Sequence, residues 1–192
     1  MIIEDSLHES VKPSKILGIK KIKRRSQAVP GYPTTQEEFQ KNTLPVLDLS
    51  MQTLLVSMNK ACIKANGAAL AAPQVGVYFT MFIITNPDDP KAFRAIFNPA
   101  FEIEETITVL EDEGCLSIPN ITLPVRRNKK INARWFEFVS TTGVNQLTLK
   151  EEILTDFSAK LFQHEMEHFS NGNIVESSAL SREQKRKIMN AL

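Results

Sequence analysis

Apolar residues recur at three- and four-residue steps through Leu47, Met51, Leu54, Leu55, Met58 and Cys62, a period that predicts an amphipathic helix with one buried face. Asp48 or Ser50 can cap its start, and Asn66-Gly67 can supply a left-handed stop. Cys62 falls on the apolar stripe and reads as a small buried hydrophobe, not a reactive thiol. The pattern then changes. Residues 77–85 are apolar, with β-branched and aromatic side chains, which predicts a buried strand ending at Asn86-Pro87-Asp88-Asp89-Pro90. Ala95-Ile96-Phe97 and residues 101–110 predict two further strands separated by Asn98-Pro99. Residues 111–119 break the strand pattern, with Gly114 beside Cys115. Segments 130–139 and 146–149 read as a hairpin around Thr141-Thr142-Gly143-Val144-Asn145, with Ile131, Ala133 and Trp135 on one face. Thr155 is placed to cap a helix with Asp156 in its first turn and Gly172 just past its end. Ser181-Arg182-Glu183-Gln184 is a capping box for a short C-terminal helix.

Several antiparallel strands in mid-chain, with one helix before them and another after, make the fold class α+β. Ile16-Leu17-Gly18-Ile19 suggests a short strand upstream, and Pro30-Gly31-Tyr32-Pro33 defeats both helix and sheet ladders. Residues 1–13 read as a tail and 14–192 as a single catalytic domain, since 192 residues suit one core. Lys+Arg 23 against Asp+Glu 22 gives no overall field for nucleic-acid readout or a membrane surface. Two basic groups, Lys20, Lys21, Lys23, Arg24, Arg25 and Lys185, Arg186, Lys187, read as solvated surface. No apolar stretch approaches the ~18 residues of a membrane span, and acidic residues near the start argue against a transit peptide. The expected setting is the cytoplasm, or an organelle matrix in a eukaryotic source. Two cysteines are too few for a disulfide framework.

The chemistry gathers at Gln163-His164-Glu165-Met166-Glu167-His168. On a helix, histidines four apart lie on one face, about 40° from each other, and Glu165 is about 60° beyond His168. Two imidazoles can bind Zn²⁺ or Fe²⁺, and a carboxylate that is not a ligand can move protons for a metal-bound water whose pKa is lowered to ~7. A third ligand must come from elsewhere: His8, Cys115 or a carboxylate. His8 lies in the tail, whereas Cys115 follows Glu113-Gly114 in a tight break that can turn a thiolate inward. A zinc peptidase would instead need a downstream ligand, for which Glu176 is the candidate.

Three stretches, in order, resemble the motifs of peptide deformylases: the glycine-alanine loop 67–74 ending in Gln74, Glu113-Gly114-Cys115-Leu116-Ser117, and Gln163-His164-Glu165-x-x-His168. The likeness extends from about position 14 onward and includes Asn98-Pro99 and Val125-x-Arg127. It implies the deformylase α+β fold, with antiparallel sheets around a central histidine-bearing helix, and hydrolysis of the N-formyl group from the initiator methionine of nascent chains, with ribosome contact through a basic cluster open to it. By that resemblance Cys115, His164 and His168 hold a divalent metal, Fe²⁺ in the cell with Zn²⁺, Ni²⁺ or Co²⁺ able to replace it. Glu165 transfers the proton, and Gln74 with the backbone N–H of Leu116 holds the oxyanion. Glu113 pairs with Arg127 to brace the cysteine loop, and Ala68, Ala69, Leu70, Gly114, Lys160 and Leu161 meet the substrate. A deformylase relative that only binds formylated N-termini is the non-catalytic alternative, against which the retained Glu165 and Gln74 argue. Departures are Ala69 in place of a second glycine, Ala68 in place of a larger apolar residue, Lys160 in place of an apolar one, and Glu167 in place of Asp. The first three are expected to alter the mouth of the methionine pocket. Glu167, on a helix face away from the metal, is expected to have little effect.

Overall fold

Leu49–Lys64 forms the first helix, α1, and buries Met51, Leu54, Leu55, Met58 and Cys62, the stripe that the three- and four-residue spacing marks. The computed structural model describes residues 15–18, 22, 25–29, 49–140, 147–170 and 172–192. The expected tail, the loop at 30–33, Leu47, Asp48 and the hairpin tip 141–145 lie outside them. Ser50 lies inside α1; at the other end Asn66, at φ 55°, supplies the left-handed stop.

Seven strands follow: β1 (Ala69–Ala71), β2 (Met81–Thr85), β3 (Phe93–Ile103), β4 (Thr108–Cys115), β5 (Ile118–Asn128), β6 (Lys130–Val139) and β7 (Thr148–Thr155). Five form an antiparallel sheet in the order β1-β2-β3-β6-β7, and β4 pairs with β5 in a separate two-stranded sheet. Side chains alternate across the larger sheet, so each face receives its own core. Leu70, Met81, Ile83, Ala95, Phe97, Phe136 and Phe138 pack with α1. Ala71, Phe82, Ile96, Ile131, Ala133 and Trp135 face the second long helix, α2 (Asp156–Glu167), through Ala159 and Phe162.

Three expectations change. The strand expected over 77–85 narrows to β2, because Phe79 leaves the ladder for a bridge to Gln27. Asn98-Pro99 does not separate two strands: β3 runs through it, with a register shift between Phe97 and Ala100. Asn98 absorbs that bulge at φ 44°, and its carboxamide clamps Val29, accepting from the N–H at 2.8 Å and donating to the C=O at 3.4 Å. Residues 111–119 are likewise ordered as strand, turn and strand, Cys115 pairing with Ile118 across Leu116-Ser117. Sequence pattern misses this hairpin because Glu113, a carboxylate, holds an inward position where an apolar residue would mark a strand.

Thr155 precedes α2 in extended conformation, with no side-chain capping bond; the following N–H, of Asp156, donates to Lys129 O at 3.0 Å. Beyond it come the short helix α3 (Ile174–Ser177), capped by Asn173, and α4 (Arg182–Ala191), where Ser181 and Gln184 form the expected capping box. No helix among the described residues is long and apolar enough to cross a membrane.

Candidate metal centre and cleft

The site lies where α2 passes between the two sheets. Phe162 fixes the helix there: its ring lies 5.5 Å from Phe82, 5.7 Å from Trp135 and 6.2 Å from Phe101, centroid to centroid. One side of α2 is thereby anchored in core, and the helical period turns His164 and Glu165 toward the β4–β5 hairpin. His168 follows at the helix's C-terminal cap, 1% exposed.

Ligand atoms of Cys115, His164 and His168 all lie within 4.8 Å of one another, the one such group among the described residues. The Cys115 sulfur is 3.5 Å from His168 Nε2. Glu176, by contrast, is exposed on α3 and outside the group. His164 Nδ1 lies 2.9 Å from Glu113 Oε2. Burial alone would raise the Glu113 carboxyl, yet hydrogen bonds from Arg127 and His164 bring it down to about 2. An ionised carboxylate can only accept, so Nδ1 donates the proton and Nε2 is the nitrogen that could bind a metal. Burial would lower His164, but hydrogen bonding to Cys115 and Glu113 lifts it to about 10, so a metal bound at Nε2 would have to displace a proton there. His168 moves the other way, to about 3, because burial and then the neighbouring charges of His164 and Arg127 disfavour its cation.

Arg127 grips Glu113 with two bonds, Nε to Oε1 and Nη2 to Oε2, each 2.8 Å. The pairing expected from sequence is present and is 5% exposed or less on both sides. Unexpected is Glu167, which also pairs with Arg127 and accepts from Ser177 Oγ at 2.7 Å. Glu167 does point away from the Cys115, His164 and His168 group, but toward Arg127 and Ser177, and it is only partly exposed.

Glu165 is 3% exposed, and its Oε2 has no hydrogen-bond partner. Burial pushes its carboxyl up to about 7, partly offset by the charge of His164. Gln74 reaches the same place from the other side. It sits in the 3₁₀ turn Ala72–Val75, which Pro73 starts and Gly76, at φ 85°, ends. Its Oε1 accepts from the Ala71 N–H at 2.8 Å, which orients the amide so that Nε2 donates to Ser117 Oγ at 3.1 Å and to Cys115 Sγ at 3.6 Å. Ser117, not singled out from sequence, therefore aims Gln74; its place two residues after Cys115 in the hairpin turn was the available signal.

A cleft of about 660 Å³ opens over these groups, lined by Ala68, Ala69, Gly114, Leu116, Lys160 and Leu161 among others. Leu70 differs from expectation. Its side chain is fully buried in the α1 core and is not part of the cleft wall, since alternation along β1 turns it to the opposite face from Ala71. Lys160 stands at the rim, ion-paired with Glu111 on β4, its Nζ 5.6 Å from the Phe157 ring centroid.

Thiolate and imidazole donors with open room beside them suit a divalent transition metal. The orphaned Glu165 oxygen, buried where no protein donor reaches it, fits a site built to receive a further polar group.

Residues 32–185 match the family described as Polypeptide deformylase. Peptide deformylase 2 of a Nostoc species is 35% identical over 128 residues, covering 63% of this chain and 68% of that protein. The peptide deformylase of Thermotoga petrophila is 30% identical over 140 residues, 72% of this chain and 79% of that one. In structure, a peptide deformylase from Legionella pneumophila superposes with a TM-score of 0.70 over 92% of this chain and 90% of that chain at 24% identity, a likeness of fold.

Proposed function

From the premise that the chain belongs to the polypeptide deformylase family, we propose that Cys115, His164 and His168 hold its metal and that Glu165 is its proton carrier. The enzyme is a metal-dependent hydrolase that removes the N-formyl group from nascent polypeptides. When bound, the metal ion supplies a Lewis acid that makes water a competent nucleophile near neutral pH and polarises a carbonyl oxygen. Fe²⁺ is the proposed native ion, with Zn²⁺, Ni²⁺ or Co²⁺ able to occupy the same donors.

The observation that carries the reading is Glu165, buried, lifted to about 7 and unpartnered at one oxygen in the wall of the cleft that holds the ligands. A general base poised near the working pH both takes and returns a proton readily. Water's hydroxyl adds to the formyl carbon while Glu165 accepts its proton. The C–N bond then breaks, and Glu165 delivers that proton to the leaving nitrogen, which gives formate and a free amine. Gln74 Nε2, held by Ala71 and Ser117, and the N–H of Leu116 stabilise the oxyanion. One such donor is typically worth ~2.7–4 kcal/mol of barrier. Glu113 keeps His164 in the tautomer that leaves Nε2 free.

Ala68, Ala69, Gly114, Leu161 and Lys160 are the proposed substrate-facing residues. With an ammonium at the rim, the side-chain preference should differ from that of a pocket walled by apolar residues. Formyl-Met and formyl-Leu peptides compared on wild type and Lys160→Leu should give different ratios, and equal ratios would remove Lys160 from this role. The enzyme is placed in the cytoplasm, where α4, with Lys185, Arg186 and Lys187, offers a basic surface for ribosome contact.

The activity is tested by formate release from formyl-Met-Ala-Ser with anaerobically Fe²⁺-loaded protein, with metal analysis alongside. One ion per chain and steady formate release are expected. Metal-loaded protein that releases no formate would contradict the assignment.

A further inference from the structure

Four side chains close a ring through three elements. His164 on α2 meets Glu113 on β4 at 2.9 Å; Glu113 takes two bonds from Arg127 on β5; Arg127 pairs with Glu167; and Glu167 is back on α2, three residues from His164. Arg127 uses both edges of its guanidinium, Nε and Nη2 toward Glu113, Nη1 and Nη2 toward Glu167, the last contact at 3.3 Å. The planar fork cannot turn without losing one carboxylate or the other. Ser177 of α3 donates to Glu167 at 2.7 Å and fixes the closing link.

The ring lies between elements that each supply proposed ligands, Cys115 from β4 and both histidines from α2 and its cap. Their separation, and with it the approach of the sulfur to the imidazoles, depends on how β4 and β5 are held against the helix. We propose that Glu167 is a positioning residue: by closing the ring it fixes the distance between the cysteine hairpin and the histidine helix, and so governs how tightly the metal is kept. Without it, Nη1 of a 5%-exposed arginine loses its partner and the guanidinium is held from the Glu113 side alone, so nothing ties β5 back to α2 through it. The proposal rests on the metal-site reading above and assigns work to a residue and a helix, α3, that touch neither metal nor substrate.

The test uses Co²⁺-loaded protein, whose thiolate-to-metal absorption reports Cys115 ligation, and follows loss of the ion to excess EDTA. Outer partners of metal ligands typically alter affinity by about 10–100-fold. Glu167→Gln, which keeps shape and removes charge, should release Co²⁺ at least about tenfold faster, and Glu167→Asp should recover most of the loss, at unchanged circular dichroism. Ser177→Ala, which removes one bond outside the ring, should give a smaller acceleration in the same direction and serves if Glu167→Gln does not fold. Release within twofold of wild type in Glu167→Gln, or in Ser177→Ala where only that variant folds, would overturn the proposal while leaving the site intact. A wild-type Co²⁺ protein lacking the thiolate band would overturn the ligand assignment and this inference together.

Discussion

Gly67 shows how closely the substrate loop and the cysteine hairpin approach. A Cβ built there would lie 2.5 Å from Leu116 Cδ1 and 2.9 Å from Cys62 Sγ. Both distances are below contact, so the neighbours must move, and Leu116 is the residue whose N–H is proposed to meet the oxyanion. Gly67→Ala should therefore force the Leu116 and Cys62 side chains to repack and cost about 1–3 kcal/mol of stability, as overpacking does; chemical denaturation checks it. The glycine was legible in sequence as a place where something comes close. What comes close was not, because Leu116 is about fifty positions away and only the fold brings them together. Glu167 makes the same point in reverse. Helical geometry correctly turned it from the metal, but the partner it turns toward, Arg127, sits on a strand whose register no local pattern fixes.

At the scale of elements, α2 has two jobs on two faces. Its apolar side, through Ala159 and Phe162, is core for the larger sheet, and its polar side carries the proposed ligand His164 and Glu165. Phe162→Ala should cost about 3–5 kcal/mol of stability, as deletion of a buried aromatic does, and chemical denaturation measures it. The elements that sequence placed well carry a local signal of their own: the apolar stripe of α1, the alternation that puts Ile131, Ala133 and Trp135 on one face of β6, and the capping box of α4. Those it misplaced have other reasons for their pattern. β3 runs through a proline because Asn98 takes up the bulge and pairs with Val29. β4 reads as a break because Gly114 interrupts it and its one buried acid, Glu113, faces inward to His164 and Arg127 where an apolar residue would mark a strand. The fold class was thus legible in the sequence, as was the grouping of Cys115, His164 and His168 that the structure brings together. The hairpin that presents Cys115, and the Ser117 and Glu167 contacts, required the tertiary structure.

In the whole molecule, the five-stranded sheet separates α1 on one face from α2 on the other, and the small sheet closes over α2 to form the cleft. Burial in this arrangement, reinforced by the charge of Glu165, pushes the Cys62 thiol up to about 12 from its ordinary 9.0. Between those values the unfolded chain has lost a proton that the folded chain keeps, so this group destabilises the fold as pH rises through that window and has no effect below it. Melting temperatures measured at pH 8 and pH 10.5 should fall less steeply for Cys62→Ala than for wild type; equal slopes would contradict the burial account.

The central claim is a division of labour between ligands that hold the metal and a neighbouring carboxylate that moves the proton. Metal content and formate release measured together on wild type, Cys115→Ser and Glu165→Ala test it most directly. The account predicts that Glu165→Ala keeps one metal ion and loses turnover, while Cys115→Ser loses the metal itself. Near-full formate release by Glu165→Ala would contradict it.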